Sequence, residues 1–223
     1  MLTAPQIARL TAALQQLREA APRRELPWWL LAETIVLVTL GTALRRGELL
    51  GLRWRAVDLE QGTLDVREAI VRGRSTTPKS KASCRRIELG PRTRTVLEQH
   101  RKRTRFRRPD DLVFCHPERG TPLDPSAFAR DYLKPALAKA GIDSGFRPFH
   151  DLRHTSLTHS AAAGKPHIYV QARAGHANGS TTERYLHPAT LLFPSAAERT
   201  EQHMFGTPPL RLRILQILKR RGR

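Results

Sequence analysis

Residues 28 to 41 read WWLLAETIVLVTLG, the longest apolar stretch in the chain. One acid, Glu33, interrupts it. Its length falls short of the ~20 residues that a helical bilayer span needs. A helix with apolar residues on all sides must be covered by neighbouring elements. The stretch therefore predicts a buried helix from about Trp28 to Thr42, with Trp28 and Trp29 as core residues and not as a base-stacking platform.

The elements around it follow from periodicity. LTAPQIARLTAALQQLREA places Ile7, Leu10, Leu14 and Leu17 at helical spacing, with Thr3 as its cap region. RRGELLGL predicts a short helix. GTLDVREAIVRG alternates as a strand with a bulge, and RSTTPKSKASCRRIELG adds two strands joined by a turn. PRTRTVLEQHRKRTRF returns to helix. Leu112 to Phe114 reads as one short strand in a loop region. SAFARDYLKPALAKAGI predicts a helix kinked at Pro135. FHDLRHTSLTHSAAAG predicts a helix stopped by Gly164. PHIYVQARAG and STTERYLHP follow as short helices, and PPLRLRILQILKRRGR as a basic amphipathic one with Leu210, Ile214, Ile217 and Leu218 on one stripe. The expected fold class is α+β, mostly helical, with a small antiparallel β-sheet.

Charge narrows the partner. Of 223 residues, 39 are Lys or Arg and 20 are Asp or Glu, a formal net charge of +19. Such a chain attracts polyanions, and phosphate neutralisation dominates nucleic-acid affinity. The basic residues cluster: HRKRTRFRRP and VRGRSTTPKSKASCRR are almost free of acids and read as a phosphate-tracking surface. Arg46, Arg53 and Arg55 read as backbone-contacting or solvated arginines. The two cysteines, Cys84 and Cys115, make neither a disulfide framework nor a paired zinc site. No signal-peptide core opens the chain, and the expected location is the cytoplasm, at the bacterial nucleoid.

The segment HDLRH, residues 150 to 154, is close to the H-E-x-x-H pattern of zinc proteases. The extended form of that pattern places Gly and His further along the helix. Here Leu157 and Ser160 stand there, and Arg153 adds a fixed positive charge. A phosphate suits His150 and Arg153 better, because a guanidinium donates two parallel hydrogen bonds to an oxyanion. Phosphoryl transfer uses several such donors. Arg45 opens a helix, with Glu48 three residues on to hold it. Lys79 and Lys81 sit at a hairpin tip, His176 follows a glycine, and Tyr185 comes nine residues later. Taken singly, each fits a bland role equally well, such as a solvated arginine or a packing tyrosine. His154 reads as a packing or hydrogen-bonding residue; His159 and His187 carry no evident role.

In order along the chain, ALRRGELLGLRW, PKSKASCRRIEL, HDLRHTSLTH, AGH and TTERYLH resemble the catalytic domain of the tyrosine recombinases, the phage-type integrases. The resemblance covers about residues 2 to 190. It implies that Arg45, His150 and Arg153 hold the scissile phosphate and that Lys79 protonates the leaving 5′-oxygen, with Lys81 its competitor. His176 donates to a phosphate oxygen, Tyr185 is the nucleophile, and Glu48 is structural. It implies site-specific recombination of double-stranded DNA through a 3′-phosphotyrosyl intermediate, with no metal and no cofactor. The partners it implies are the DNA and a homotetramer on paired sites, with a monomer in the absence of DNA. Two readings compete: a truncated DNA-binding relic, and strand relaxation of the type IB topoisomerase kind.

The resemblance also sets domain expectations: a catalytic domain over 1–195, a basic amphipathic tail over 196–223 that docks on its own domain or on a neighbouring subunit, and no N-terminal core-binding domain. Two departures bear on the site. Ala43 stands where the family has glycine, and Arg173-Ala174 stands where leucine precedes Gly-His. The charged Arg173 either tilts the loop that carries His176 or faces solvent.

Overall fold

The computed structural model describes residues 1–71, 73–76 and 84–175. Its elements in order are α1 (Ala4–Ala20), α2 (Leu26–Thr42), α3 (Arg46–Leu50), β1 (Val57–Asp58), β2 (Thr63–Val66), β3 (Ala69–Val71), β4 (Arg74–Thr76), β5 (Arg85–Glu88), α4 (Pro91–Arg103), α5 (Pro125–Phe128), α6 (Lys134–Lys139), α7 (Pro148–Ala162) and α8 (His167–Ala174). The helices of STTERYLHP and of the basic tail lie outside the described residues, as do Lys79, Lys81, His176 and Tyr185.

Helix α2 is the axis of the molecule, packed against α1, α4 and α7. Trp29, Leu31, Ala32, Ile35, Val36 and Val38 are all buried, which is the fate an all-round apolar helix requires. Trp28 is half-buried and stacks on Tyr132, with ring centroids 5.4 Å apart. No described helix is long and apolar enough to cross a membrane.

The helix boundaries have local causes. Thr3 caps α1 in a reciprocal box with Gln6, satisfying two of the backbone N–H groups that a helix start leaves without partners. The start of the chain is then pinned to α7. The Leu2 N–H donates to Thr155 Oγ1 at 2.9 Å, and the Leu2 carbonyl pairs with His159 Nε2 at 2.9 Å. That contact gives His159 a role its sequence position did not reveal. Gly164 ends α7 with φ +76°, as expected. Between α5 and α6, residues Ala129–Leu133 form one wide π-type turn just before Pro135. Such a turn re-routes the backbone bonds that a proline disrupts.

The β-structure differs from the single sheet expected. β1-β2-β5 form one antiparallel sheet and β3-β4 a separate hairpin. The break falls at Arg67-Glu68, where Glu68 turns to pair with Arg53 and Arg55. Two charged arginines thus pull the strand out of register with the first sheet. Arg55 also pairs with Asp110, so Arg53 and Arg55 are anchored in an ion-pair network and are not simply solvated. Leu112 to Phe114 forms no strand; Leu112 makes one isolated bridge, to Arg53.

Candidate functional site: arginines around two helix ends

A helix leaves its last carbonyls without intrahelical partners. Helix α2 ends against α7 and α8, and side chains from those helices take up its free carbonyls. Ser156 Oγ donates to the Leu40 carbonyl, Arg173 Nη2 to that of Gly41, and Arg153 Nη1 to that of Ala43. Helix α8 ends in the same place. Its carbonyls at Arg173, Ala174 and Gly175 accept from Arg85 Nε at 2.8 Å, Arg153 Nη2 at 2.7 Å and Arg45 Nη2 at 2.8 Å. Four guanidiniums therefore collect where the partial negative ends of two helices meet.

The turn from α2 into α3 sets up this arrangement. Ala43 adopts the left-handed conformation, φ 56° and ψ 27°, and is fully buried. A Cβ-bearing residue is strained there by about 1–2 kcal/mol. The glycine usual at this place in the resembling family avoids that strain, while the Ala43 methyl packs with Leu157, Ala161, Val170 and Ala174. The turn delivers Arg45 to the start of α3. Its backbone N–H donates to Glu48 Oε2 at 2.9 Å and its Nη1 to Glu48 Oε1 at 2.8 Å. The expected i,i+3 pair is present.

Glu48 also holds a second arginine. Arg85, on β5, donates Nη1 to Oε1 at 3.0 Å and Nη2 to Oε2 at 2.8 Å. Both side chains are almost completely buried, Arg85 at 7% exposure and Glu48 at 5%. Burial alone would raise the carboxylate, but the hydrogen bond and charge of Arg85, reinforced by Arg45, hold it down at about 2. One carboxylate shared by two guanidiniums leaves the group positively charged, and Arg45 keeps 39% of its side chain exposed. Such a group is suited to a phosphate.

The other expected residues are placed as follows. Arg153 is buried, at 7% exposure, and joins Arg45 at the end of α8. His150 lies one turn earlier on α7, with its ring exposed at the surface. Asp151 caps that helix by accepting from the Arg147 N–H at 2.7 Å, a structural role. His154 is half-buried, and burial, together with the chain's terminal amine, shifts its imidazole downward. Among the described residues no group of three metal-ligating side chains gathers. Arg173 neither faces solvent nor stands apart: it ties α8 to the end of α2 and reaches Tyr169 Oη at 3.1 Å.

Arg85 is the residue that the sequence reading missed, although a signal for it exists. It alternates onto one face with Ile87 in β5 and with Leu89 just beyond the strand, both buried. An arginine on the buried face of a strand needs a carboxylate partner.

The family model of the phage integrase family matches residues 1–191. A tyrosine recombinase XerC-like protein of Caldanaerobacter subterraneus subsp. tengcongensis is 32% identical over 174 residues, covering 67% of this chain and 44% of the relative. Tyrosine recombinase XerD of Listeria innocua is 32% identical over 170 residues, covering 74% of this chain and 52% of the relative. The chain thus spans about half the length of these curated relatives. Two solved structures share the fold. The Tn1549 transposon integrase in complex with a circular intermediate DNA superposes with a TM-score of 0.66 at 21% identity, covering 85% of this chain and 64% of that one. XerA recombinase superposes with a TM-score of 0.63 at 24% identity, covering 91% and 62%. The ordered motifs and a family match over most of the length lead to one conclusion: the chain belongs to the phage integrase family, the tyrosine recombinases.

Proposed function

We propose that this chain is the strand-cleaving part of a site-specific recombinase acting on double-stranded DNA. The observation that supports the reading most directly is the meeting of Arg45 and Arg153 on adjacent carbonyls at the end of α8, beside a shared carboxylate. Two guanidiniums fixed in this way suit the two non-bridging oxygens of a phosphodiester.

The chemistry assigned to the remaining residues follows from their types. The Tyr185 phenolic oxygen attacks phosphorus, and the bond from phosphorus to the 5′-oxygen breaks. A phenol has a pKa of about 10 and is a weak nucleophile until its proton is drawn off. His150 takes that proton, and the cations around it favour the phenolate. The Lys79 ammonium gives its proton to the leaving 5′-oxygen. His176 donates to a phosphate oxygen. The product is a 3′-phosphotyrosyl link and a free 5′-hydroxyl, and reversal of the same step rejoins the strand. Recombination proceeds with four copies of the chain on paired sites.

The test uses nicked duplexes selected by binding from a randomised pool, followed by a denaturing gel. Wild-type protein yields a covalent protein–DNA band, and Tyr185→Phe yields none. A band that persists in Tyr185→Phe overturns the nucleophile. Lys79→Ala blocks cleavage of normal DNA but cleaves a substrate whose 5′-bridging oxygen is sulfur, because a thiolate leaves without a proton. If Lys81→Ala shows that pattern and Lys79→Ala does not, Lys81 is the acid. Relaxation of any supercoiled plasmid, with no dependence on site, identifies a topoisomerase instead.

A further inference from the structure

Arg85 occupies an unusual junction. It lies on β5, the strand that leads out of the segment carrying Lys79. Its two terminal nitrogens grip the Glu48 carboxylate, and Glu48 in turn grips Arg45. Its Nε binds the carbonyl of Arg173, in the last turn of α8. Gly175, which precedes His176, has φ +63°, and a Cβ there would lie 2.8 Å from Arg85 Nη1 and 3.1 Å from Arg45 Nη1. The two guanidiniums thus flank the last residue before His176, with no room for a side chain between them and the backbone.

We infer that Arg85 is a positioning residue for strand cleavage, one that locks the Arg45 guanidinium and the exit of α8 into a single geometry. The inference rests on the strand-cleavage reading above. Arg85 reaches the phosphate only through others: Glu48 takes its fork and orients Arg45, and the Arg173 carbonyl takes its Nε and fixes the backbone that delivers His176. A lysine cannot replace it. One ammonium is a point charge and cannot hold a bidentate carboxylate and a carbonyl together in one plane. What Arg85 supplies is placement, so its loss belongs in the rate of the chemical step and not in DNA affinity.

The experiment compares Arg85→Lys, Arg85→Met and Arg85→Ala with Arg130→Met, which removes a charge from an exposed arginine paired with Asp131. Single-turnover covalent-complex formation is read beside DNA affinity by mobility shift at fixed salt. The expected loss for Arg85→Lys and Arg85→Met is about 10²-fold in rate, the size that follows from misplacing a reacting group by an ångström. Their affinity should be no weaker than that of Arg130→Met. Added guanidinium ion should restore cleavage by Arg85→Ala without accelerating the wild type. A lysine variant that cleaves at the wild-type rate, or a loss that lies wholly in affinity, overturns the inference.

A second readout on DNA-free protein is independent of activity. Arg45 Nη1 and Nη2 are both held in the wild type, so its side-chain amino protons should give separate, slowly exchanging NMR signals that collapse in Arg85→Lys. Signals that stay separate in the variant overturn the positioning role. A wild-type chain that forms no covalent complex removes the cleavage reading alone, and the Arg45 signals still decide the role of Arg85.

Discussion

Glu48 is the single carboxylate between Arg45 and Arg85, and its ionisation is tied to folding. Its folded value, about 2, lies below the ordinary 4.5. A carboxylate depressed on folding stabilises the native state above its unfolded value and loses that contribution as pH falls through the folded one. The contribution here is roughly 3 kcal/mol. Urea unfolding of the wild type should therefore show stability dropping between about pH 4.5 and 2. Glu48→Gln should be less stable at neutral pH and flatter across that window; an unchanged slope would count against the role. At this scale the sequence was only partly legible. The Arg45–Glu48 spacing announced the pair. The Arg85 partnership needed strand alternation and tertiary closure together, since 37 residues separate it from Glu48. The assignments of Lys79, His176 and Tyr185 rest on motif order.

Among elements, α2 and α4 meet closely. Gly41 lies at the contact, and a Cβ added there would meet Thr93 Oγ1 at 2.0 Å and Thr93 Cβ at 3.0 Å. Gly41→Ala should therefore destabilise by about 1–3 kcal/mol, the range for overpacking a well-filled core. In a Thr93→Ala background part of that loss should return, with a double-mutant coupling above about 0.5 kcal/mol, read from urea midpoints. Additive losses would show that the two helices do not meet through this pair. Helices were the readable elements: α1 falls where a period of 3.6 places it, α2 where an almost unbroken apolar run does, and α7 where Gly164 stops it. The strands were not. Thr63–Val66 and Ala69–Val71 look continuous in sequence, yet they serve different sheets because Glu68 answers to Arg53 and Arg55 across the fold. The wide turn before Pro135 was visible only as an expected kink.

For the molecule as a whole, the net charge of +19 predicts a salt-sensitive affinity for the proposed DNA partner. If the chain neutralises 6–10 phosphates, affinity should fall by about 10³–10⁵ between 50 and 200 mM salt. Titrations at several salt concentrations give the slope, and a nearly flat slope would remove phosphate tracking as the source of affinity. Charge of this kind could be read directly from composition. What composition could not show is how the fold keeps several cations together before any DNA arrives. It does so by turning the ends of α2 and α8 toward them. The Arg153 guanidinium closes the last turn of both helices, through Ala43 and Ala174. A substitution there is consequently a double lesion. It deletes the guanidinium proposed above to hold the phosphate and, in the same stroke, unseals two helix ends that have no other stopper at those oxygens among the described contacts. Loss-of-function alleles at this arginine would then be recognised by two separable signatures, a chemical defect and a frayed scaffold, and a suppressor that re-seals the scaffold would repair only the second.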